Sequence, residues 1–470
     1  MRTIVYNYAL FLKKGIFCFS GGKYMKKFLS ILLAVLTLFS CVCVFGTAVS
    51  EPRKNVFTYA MPTTSRQTAQ RFTKSFGNGY KNAPTPPLVV GNTLIVLSGK
   101  TIYKLDSEKG EVLAKASMFS EVGYAVTSPT YYGGVIYAPL NNGVVQAFNY
   151  ETLESLWVYQ DALGGQALCP ITYDGGYLYT GFWRGEENYT NYVCLSAKDE
   201  NPKKTNEKKS PVWVRKNKGG YYWAGALITK NFAVFGCDNG KSDSTSSSKI
   251  ISVNKKTGKL ASTLSVKGDI RSSVTYSSAT GCCYVSSKAG YVYKFKIDGS
   301  SGALSSIRSF KAPGEVTATP VIYAGRLYVG AQNGQKGQLL VLDASTLKKI
   351  YHADVDGYPQ SAVAVCDYYY KDSGKIYIYA TLNNKDGSVV VLEDSKGQTS
   401  GKATVLYKPG ENKRQYCISP ISVGPDGTLF FKNDSGYIFA VEKSEHFSVI
   451  TGFLIKVMEL YERIIKMLGF

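Results

Sequence analysis

The chain has 470 residues, more than one ordinary domain, yet a length at which repeat architectures fold as a single unit. Its 36 Tyr and 46 Gly, with many Val, Ser and Thr in short apolar runs broken by turn residues, favour all-β structure and exclude a helical bundle. The net charge is +21, but the basic residues are spread along the chain, which describes a solvated surface and offers no nucleic-acid site.

The N-terminus carries an export pattern. Met25, Lys26 and Lys27 form a short positive segment, Phe28 to Phe45 is an uncharged apolar run, and Gly46, Thr47 and Ala48 supply small residues for cleavage. This is a secretory signal peptide over residues 1–48, with residues 1–24 as an extension ahead of a better start at Met25. Two alternatives use the same residues. Leu38-Phe39-Ser40-Cys41 is a lipoprotein box with a bulky Phe39 in it, and the apolar run left uncleaved approaches membrane-spanning length. All three readings place the chain beyond the cytoplasm, either secreted or held at the outer face of the cytoplasmic membrane.

Residues 49–69 read as a linker and residues 70–443 as a repeat array. The repeat is clearest in Thr127–Asn149, in Thr319–Gly330 with Gly337–Asp343, and in Ser419–Phe431 with Gly436–Val441. Each reads as strand, tight turn, strand, tight turn, strand, and the turns hold Gly-Gly, Asn-Gly or Asp-Gly pairs, which tolerate positive φ. Pro129, Pro320 and Pro420 stand near the start of a first strand, where a missing N–H costs least. Counting the weaker copies, repeats start near residues 86, 127, 169, 225, 272, 319, 361 and 419. A period of roughly 40–55 residues with four short strands describes a propeller blade. The expected fold is an all-β, eight-bladed β-propeller; seven blades follow if one long interval has been split in error. The last repeat offers three strands and leaves the pattern near Lys443. The alternating segment Gln70–Phe76 is expected to supply its missing outer strand, beside residues 437–441, and so to close the ring.

Beyond the signal lie seven cysteines, Cys169, Cys194, Cys237, Cys282, Cys283, Cys366 and Cys417, mostly inside apolar strand runs. Their odd number and irregular spacing give no complete disulfide framework. With only His352 and His446 in the chain, no metal site is assigned, and no catalytic residue is assigned either.

The segment Ala147 to Trp157 runs Ala-Phe-Asn-Tyr-Glu-Thr-Leu-Glu-Ser-Leu-Trp. It resembles the tryptophan-docking pattern of the pyrroloquinoline-quinone (PQQ) propeller repeat, Ala-x-Asp-x-x-Thr-Gly-x-x-x-Trp, with Asn149 for Asp and Leu153 for Gly. Val253–Gly258 and Leu342–Thr346 match its first half. Such repeats build the quinoprotein alcohol dehydrogenases and the propeller lipoprotein of the outer-membrane barrel-assembly machine, so the resemblance speaks for fold and covers both enzymes and scaffolds. For an enzyme it implies a calcium site, a catalytic Asp, a cation beside the quinone and stacking tryptophans. The four tryptophans here are Trp157, Trp183, Trp213 and Trp223, and Trp157 and Trp213 fall at the outer-strand docking position, which is a packing role. No carboxylate cluster recurs in the loops, so neither PQQ nor another cofactor is expected. The adjacent Cys282 and Cys283 resemble a vicinal disulfide found in some quinone dehydrogenases. On a strand, however, they point to opposite faces, and two separate packing residues is the preferred reading.

Aligning the repeats brings one position to the head of each inner strand: Lys81, Tyr124, Gln166, Tyr221, Arg271, Glu315, Gln360 and Gln415. These polar residues would ring one mouth of the central channel, near Tyr222 and Trp223. Such a ring suits a sugar or an extended peptide, while solvated loop residues are the plainer reading. Residues 444–470 leave the β pattern and read as an amphipathic helix. Phe453, Val457, Tyr461, Ile464 and Leu468 would contact a partner or a membrane surface, with Lys456, Arg463 and Lys466 on the other side. The expected function is that of an exported, non-enzymatic binding or scaffold propeller at the cell envelope, with a protein, peptide or glycan as partner; the alternative is a PQQ- or metal-dependent oxidoreductase.

Overall fold

The computed structural model describes residues 55–77, 79–80 and 83–444; the signal segment and the amphipathic segment beyond Ser444 lie outside the described residues. Eight antiparallel sheets of at least four strands follow one another along the chain as eight propeller blades. Their inner strands are Leu88–Val90, Thr130–Tyr132, Thr172–Asp174, Leu227–Ile228, Thr275–Ser277, Val321–Tyr323, Ala364–Cys366 and Ser422–Val423. Each starts two or three residues after the position expected from the repeat. Blade two shows the local logic. Thr130–Tyr132 turns back into Val135–Pro139 through Gly133 and Gly134, both at positive φ, and Val144–Asn149 and Ser155–Gln160 complete the sheet.

A single four-stranded sheet cannot bury both of its faces, so the core is distributed around the ring. Eight apolar clusters fill the eight gaps between neighbouring blades. Between blades three and four, for example, Tyr192, Cys194 and Trp213 meet Ala233, Phe235 and Ile251. The last gap closes the ring, with Leu94, Val96 and Leu105 of blade one against Phe430, Ile438 and Ala440 of blade eight. Thr68–Ser75 pairs antiparallel with Tyr437–Lys443 and is the outer strand of blade eight, as the alternating segment at Gln70–Phe76 predicts. N-terminal and C-terminal segments of the array thus share one sheet, which leaves no open edge at the closure.

Two short strands lie outside the four-strand plan. Glu207–Lys208 pairs parallel with the outer strand of blade two and covers Trp157, whose ring also lies 4.9 Å from the Lys209 ammonium. Lys209 is buried and pairs with Glu200. The second, Val56–Phe57, pairs parallel with Ala364–Cys366 on the free inner edge of blade seven. Residues 55–67, expected as a linker, are therefore built into the structure. Met61 is fully buried between blades seven and eight, and the hydroxyls of Tyr369 and Tyr379 donate to the carbonyls of Met61 and Pro62 at 2.8 and 3.0 Å.

The cysteines are buried and no disulfide joins them among the described residues. Cys282 enters the core shared with blade six and Cys283 the core shared with blade four, on opposite sides of one sheet, which corrects the vicinal-disulfide alternative. Burial pushes the Cys169 and Cys194 thiols up to about 12, so they behave as small apolar groups.

Candidate ligand-binding mouth of the channel

In every blade the inner strand runs antiparallel to the second, and the second to the third. The residues leading into an inner strand therefore lie at the same end of the channel as the loop between the second and third strands. At this end the loops of blades two to five form an arc. The Gln166 side chain accepts the backbone N–H of Tyr124 at 3.3 Å, and Gln166 and Trp183 exchange two backbone hydrogen bonds of 2.7 and 3.0 Å. Trp183 packs edge-on against Tyr222 with centroids 5.2 Å apart, and Tyr222 against Trp223 at 4.7 Å. Tyr80, 56% exposed, meets Tyr124 at 5.5 Å and extends the aromatic surface outward. Beneath these rings Val126, Leu168 and Ile418, from blades two, three and eight, form an apolar collar. Trp223 has a φ of +54°, a strained value for a large side chain, at the point where it lines the channel.

Arg271 anchors the far end of the arc. Its guanidinium carbon lies 4.6 Å from the Tyr222 ring centre, a cation–π contact, and 5.9 Å from that of Trp183. Its Nε donates to Asp238, and one terminal nitrogen, Nη2, reaches Glu186, Asp238 and Asp269 at 2.5, 2.7 and 3.4 Å. Burial alone would lower the Arg271 pKa, but Asp238 and Glu186 outweigh it and hold the side chain charged. Burial pushes the Asp269 carboxyl up to about 6, against the pull of the Asn239 N–H and of Arg271.

The quinone-enzyme alternative asks whether these groups fit a cation. Glu186, Asp238 and Asp269 each offer an oxygen within 4.8 Å of the others. However, Arg271 Nη2 stands among those oxygens, so the carboxylates already surround a cation of their own. A divalent metal fits only if Arg271 leaves; the residues as arranged do not fit one.

The eight positions expected at the mouth divide. Tyr124, Gln166 and Arg271 belong to the arc just described. Gln360 accepts a hydrogen bond from Asn383 at 2.8 Å and lines the channel. Glu315 stands 3.9 Å from Lys288, and the Gln415 side chain bonds the backbone N–H of Tyr416. Lys81 lies outside the described residues. Tyr221 is a correction. It is fully buried in the core of blades three and four and donates to the Arg215 carbonyl, because successive side chains alternate and Tyr222 takes the outward turn. Arg271 is also far less exposed than a loop residue should be. Trp183, Glu186 and Asp238 were not anticipated at the mouth. They sit on loops between second and third strands, whose lengths differ from blade to blade, so the repeat alignment does not reach them. Below the mouth the channel holds a cavity of about 330 Å³ lined mainly by the segments that lead into the inner strands, such as Val126–Pro129 and Gln360–Ala362, with Asn55 and Phe57.

No curated protein matches the chain in sequence. Solved structures do match in shape. A europium-containing methanol dehydrogenase covers 83% of this chain and 96% of its own length, at 12% identity and a TM-score of 0.60. The quinohemoprotein alcohol dehydrogenase of Comamonas testosteroni covers 82% of this chain and 78% of its own, at 11% identity and 0.59. BamB from Moraxella catarrhalis covers 80% of this chain and 99% of its own, at 12% identity and 0.51. At such identities the likeness establishes the PQQ-type propeller fold and leaves function to the site. The sequence profile described as outer membrane protein assembly factor BamB matches residues 63–187 and 246–451, well over half of the chain, and the chain belongs to that family.

Proposed function

We propose that this protein is an exported, non-enzymatic scaffold of the cell envelope that holds a segment of a partner protein at the mouth of its channel. The observation that carries this reading is the half-buried aromatic arc of Tyr124, Trp183, Tyr222 and Trp223, set beside Arg271 and its carboxylates. Flat rings and fixed charges at the rim of a rigid channel suit a peptide chain, which offers apolar side chains to stack and amides to bond. The family description, an outer membrane protein assembly factor, names a role of the same kind. Export rests on the signal pattern in residues 1–48.

The test is capture from an envelope extract on the immobilised protein, alongside Trp183→Ala and Tyr222→Ala variants. Capture of an envelope protein that both variants lose is expected; capture indifferent to both would overturn the reading.

A second reading, a PQQ- or metal-dependent oxidoreductase, draws on the grouping of Glu186, Asp238 and Asp269. Reconstitution with PQQ and calcium separates the two. We expect no bound-quinone absorbance and no dye-linked alcohol oxidation; calcium-dependent turnover would establish the enzyme.

A further inference from the structure

The wall of the channel cavity differs in chemistry from the mouth above it. The mouth gathers three carboxylates around the Arg271 guanidinium. The cavity of about 330 Å³ below has no Asp, Glu, Lys, Arg or His among its lining residues. A charged ligand would leave its water there and find no counter-charge.

The wall is also poor in hydrogen-bond donors, for two reasons that lie in the repeat. The first is proline. Pro129, Pro170 and Pro420 line the cavity just ahead of the inner strands of blades two, three and eight, and proline has no N–H to offer. The second is that the hydroxyls on this wall hold neighbouring blades together. Thr127 and Thr130 of blade two donate to the carbonyls of Leu168 and Ile171 in blade three, at 2.7 and 2.9 Å. Ser361 of blade seven donates to the Ser419 carbonyl of blade eight at 3.1 Å, and Ser422 of blade eight to the Pro87 carbonyl of blade one. A hydroxyl has one proton to give, so none of these four can donate to a ligand without releasing the next blade. Much of what remains is apolar surface, from Leu88, Val126, Ile171, Trp223, Ile418 and Ile421. Gln360, at the mouth end, is different. Its side-chain oxygen accepts from Asn383 at 2.8 Å, which leaves its amide N–H groups to one polar atom of a ligand.

We propose that this cavity is a binding site for a small uncharged apolar ligand, a hydrocarbon chain with at most one hydroxyl or carbonyl, set at the Gln360 end. The hydrophobic effect supplies the affinity, and the spent hydroxyls and missing N–H groups exclude ligands that must hydrogen-bond along their length. The volume is about twice that of the roughly 150 Å³ apolar cavity that holds benzene, which admits on the order of a dozen carbons. Occupancy of this site does not depend on any partner at the mouth.

The experiment uses the exported chain and the uncharged fluorophore N-phenyl-1-naphthylamine. Saturable binding of one probe per chain is expected, with 1-decanol displacing it at roughly tenfold lower concentration than decanoate, whose charge the wall does not match. Ala362→Phe and Ser128→Phe each put a ring into the cavity and should weaken probe binding by about tenfold or more in protein that melts like the parent. A measurement without a filled cavity stands beside these. Trp223 is the one tryptophan among the lining residues, so 10-bromodecanol should quench part of the tryptophan emission, and Trp223→Phe should remove that quenching. Four results would each overturn the proposal: probe uptake that does not saturate, equal displacement by decanol and decanoate, binding undiminished in a folded, filled variant, or quenching undiminished in Trp223→Phe.

Discussion

Gly258 lies against the indole of Trp213, so close that a Cβ built on it would stand 2.8 Å from the ring. Trp213 belongs to the outer strand of blade three and Gly258 ends a turn of blade four, where the Lys255 carbonyl accepts the indole N–H at 2.9 Å. Phe72 repeats the relationship at the closure, where a Cβ on Gly110 of blade one would meet its ring at 2.6 Å. The docking motif is therefore a lock between neighbouring blades. Trp213→Ala should cost about 3–5 kcal/mol, the range for removing a large buried ring. Gly258→Ala should cost at least about 1 kcal/mol, since its φ of +69° and the indole both oppose a side chain. Denaturant unfolding of the two variants checks both, and a Gly258→Ala protein as stable as the parent would refute the lock.

Arg271 was expected on the rim, and a solvated rim residue can be replaced at little cost in stability. Its position demands a different outcome. Removing the guanidinium leaves Asp238 and Asp269 buried without their counter-charge, so Arg271→Ala should lose about 3–5 kcal/mol. Tyr124→Ala, at a half-buried rim residue, should lose roughly 1 kcal/mol. Thermal melts of the two variants side by side give the comparison, and a mild Arg271→Ala melt would mean the carboxylates find other partners.

Asp269 gives the mouth a pH dependence of unusual sign. Its carboxyl titrates near 6 in the folded protein, above the ordinary 3.8. Between those values the folded state holds a proton that the unfolded chain has released. Its contribution to stability is therefore full below about pH 4 and falls as pH rises to about 6, by up to roughly 3 kcal/mol. Asp269→Asn keeps the acceptor for the Asn239 N–H and cannot ionise. The stability difference between variant and parent should grow in the variant's favour from pH 4 to pH 6 and then level off, as read from denaturation at fixed ionic strength. A difference constant with pH would place Asp269 outside the titration.

The blades were legible because local signals recur along the chain: an apolar second strand such as Val135–Pro139, and in several blades a turn pair such as Gly133-Gly134, although blade four turns without glycine and blade seven through a short helix at Tyr370–Ser373. The closure was legible because Gln70–Phe76 alternates and the last repeat lacks a strand. The mouth was legible only in part. A one-residue error at Tyr221 exchanges rim for core, since neighbouring side chains point in opposite directions. The Arg271 cluster depends on Glu186 and Asp238, 85 and 33 residues distant, and no local pattern links them. The strand Val56–Phe57 is too short to show any alternation, and its partner lies some three hundred residues away.

The last prediction concerns the amphipathic segment that begins after the propeller. Among the described residues the ring already closes: Lys443 pairs with Thr68, and the Ser444 N–H donates to the Gln67 carbonyl at 2.8 Å. Among the described residues, the inter-blade clusters draw on residues up to Val441. A chain ending at Ser444 should thus fold and melt close to the full-length protein. From the sequence, Phe453, Val457, Tyr461, Ile464 and Leu468 are expected on one side of a helix, an arrangement that would cost free energy in water unless docked. Lys456, Arg463 and Lys466, expected on the other side, would suit an anionic membrane surface, although Glu459 and Glu462 reduce that attraction, so a partner protein is an equal candidate. Flotation with anionic vesicles and co-purification from envelope extract, each run with and without residues 445–470, distinguish the two. Truncation should abolish one of these associations and leave the melting temperature nearly unchanged. Unfolding on truncation would instead make the segment part of the core, docked on the propeller itself.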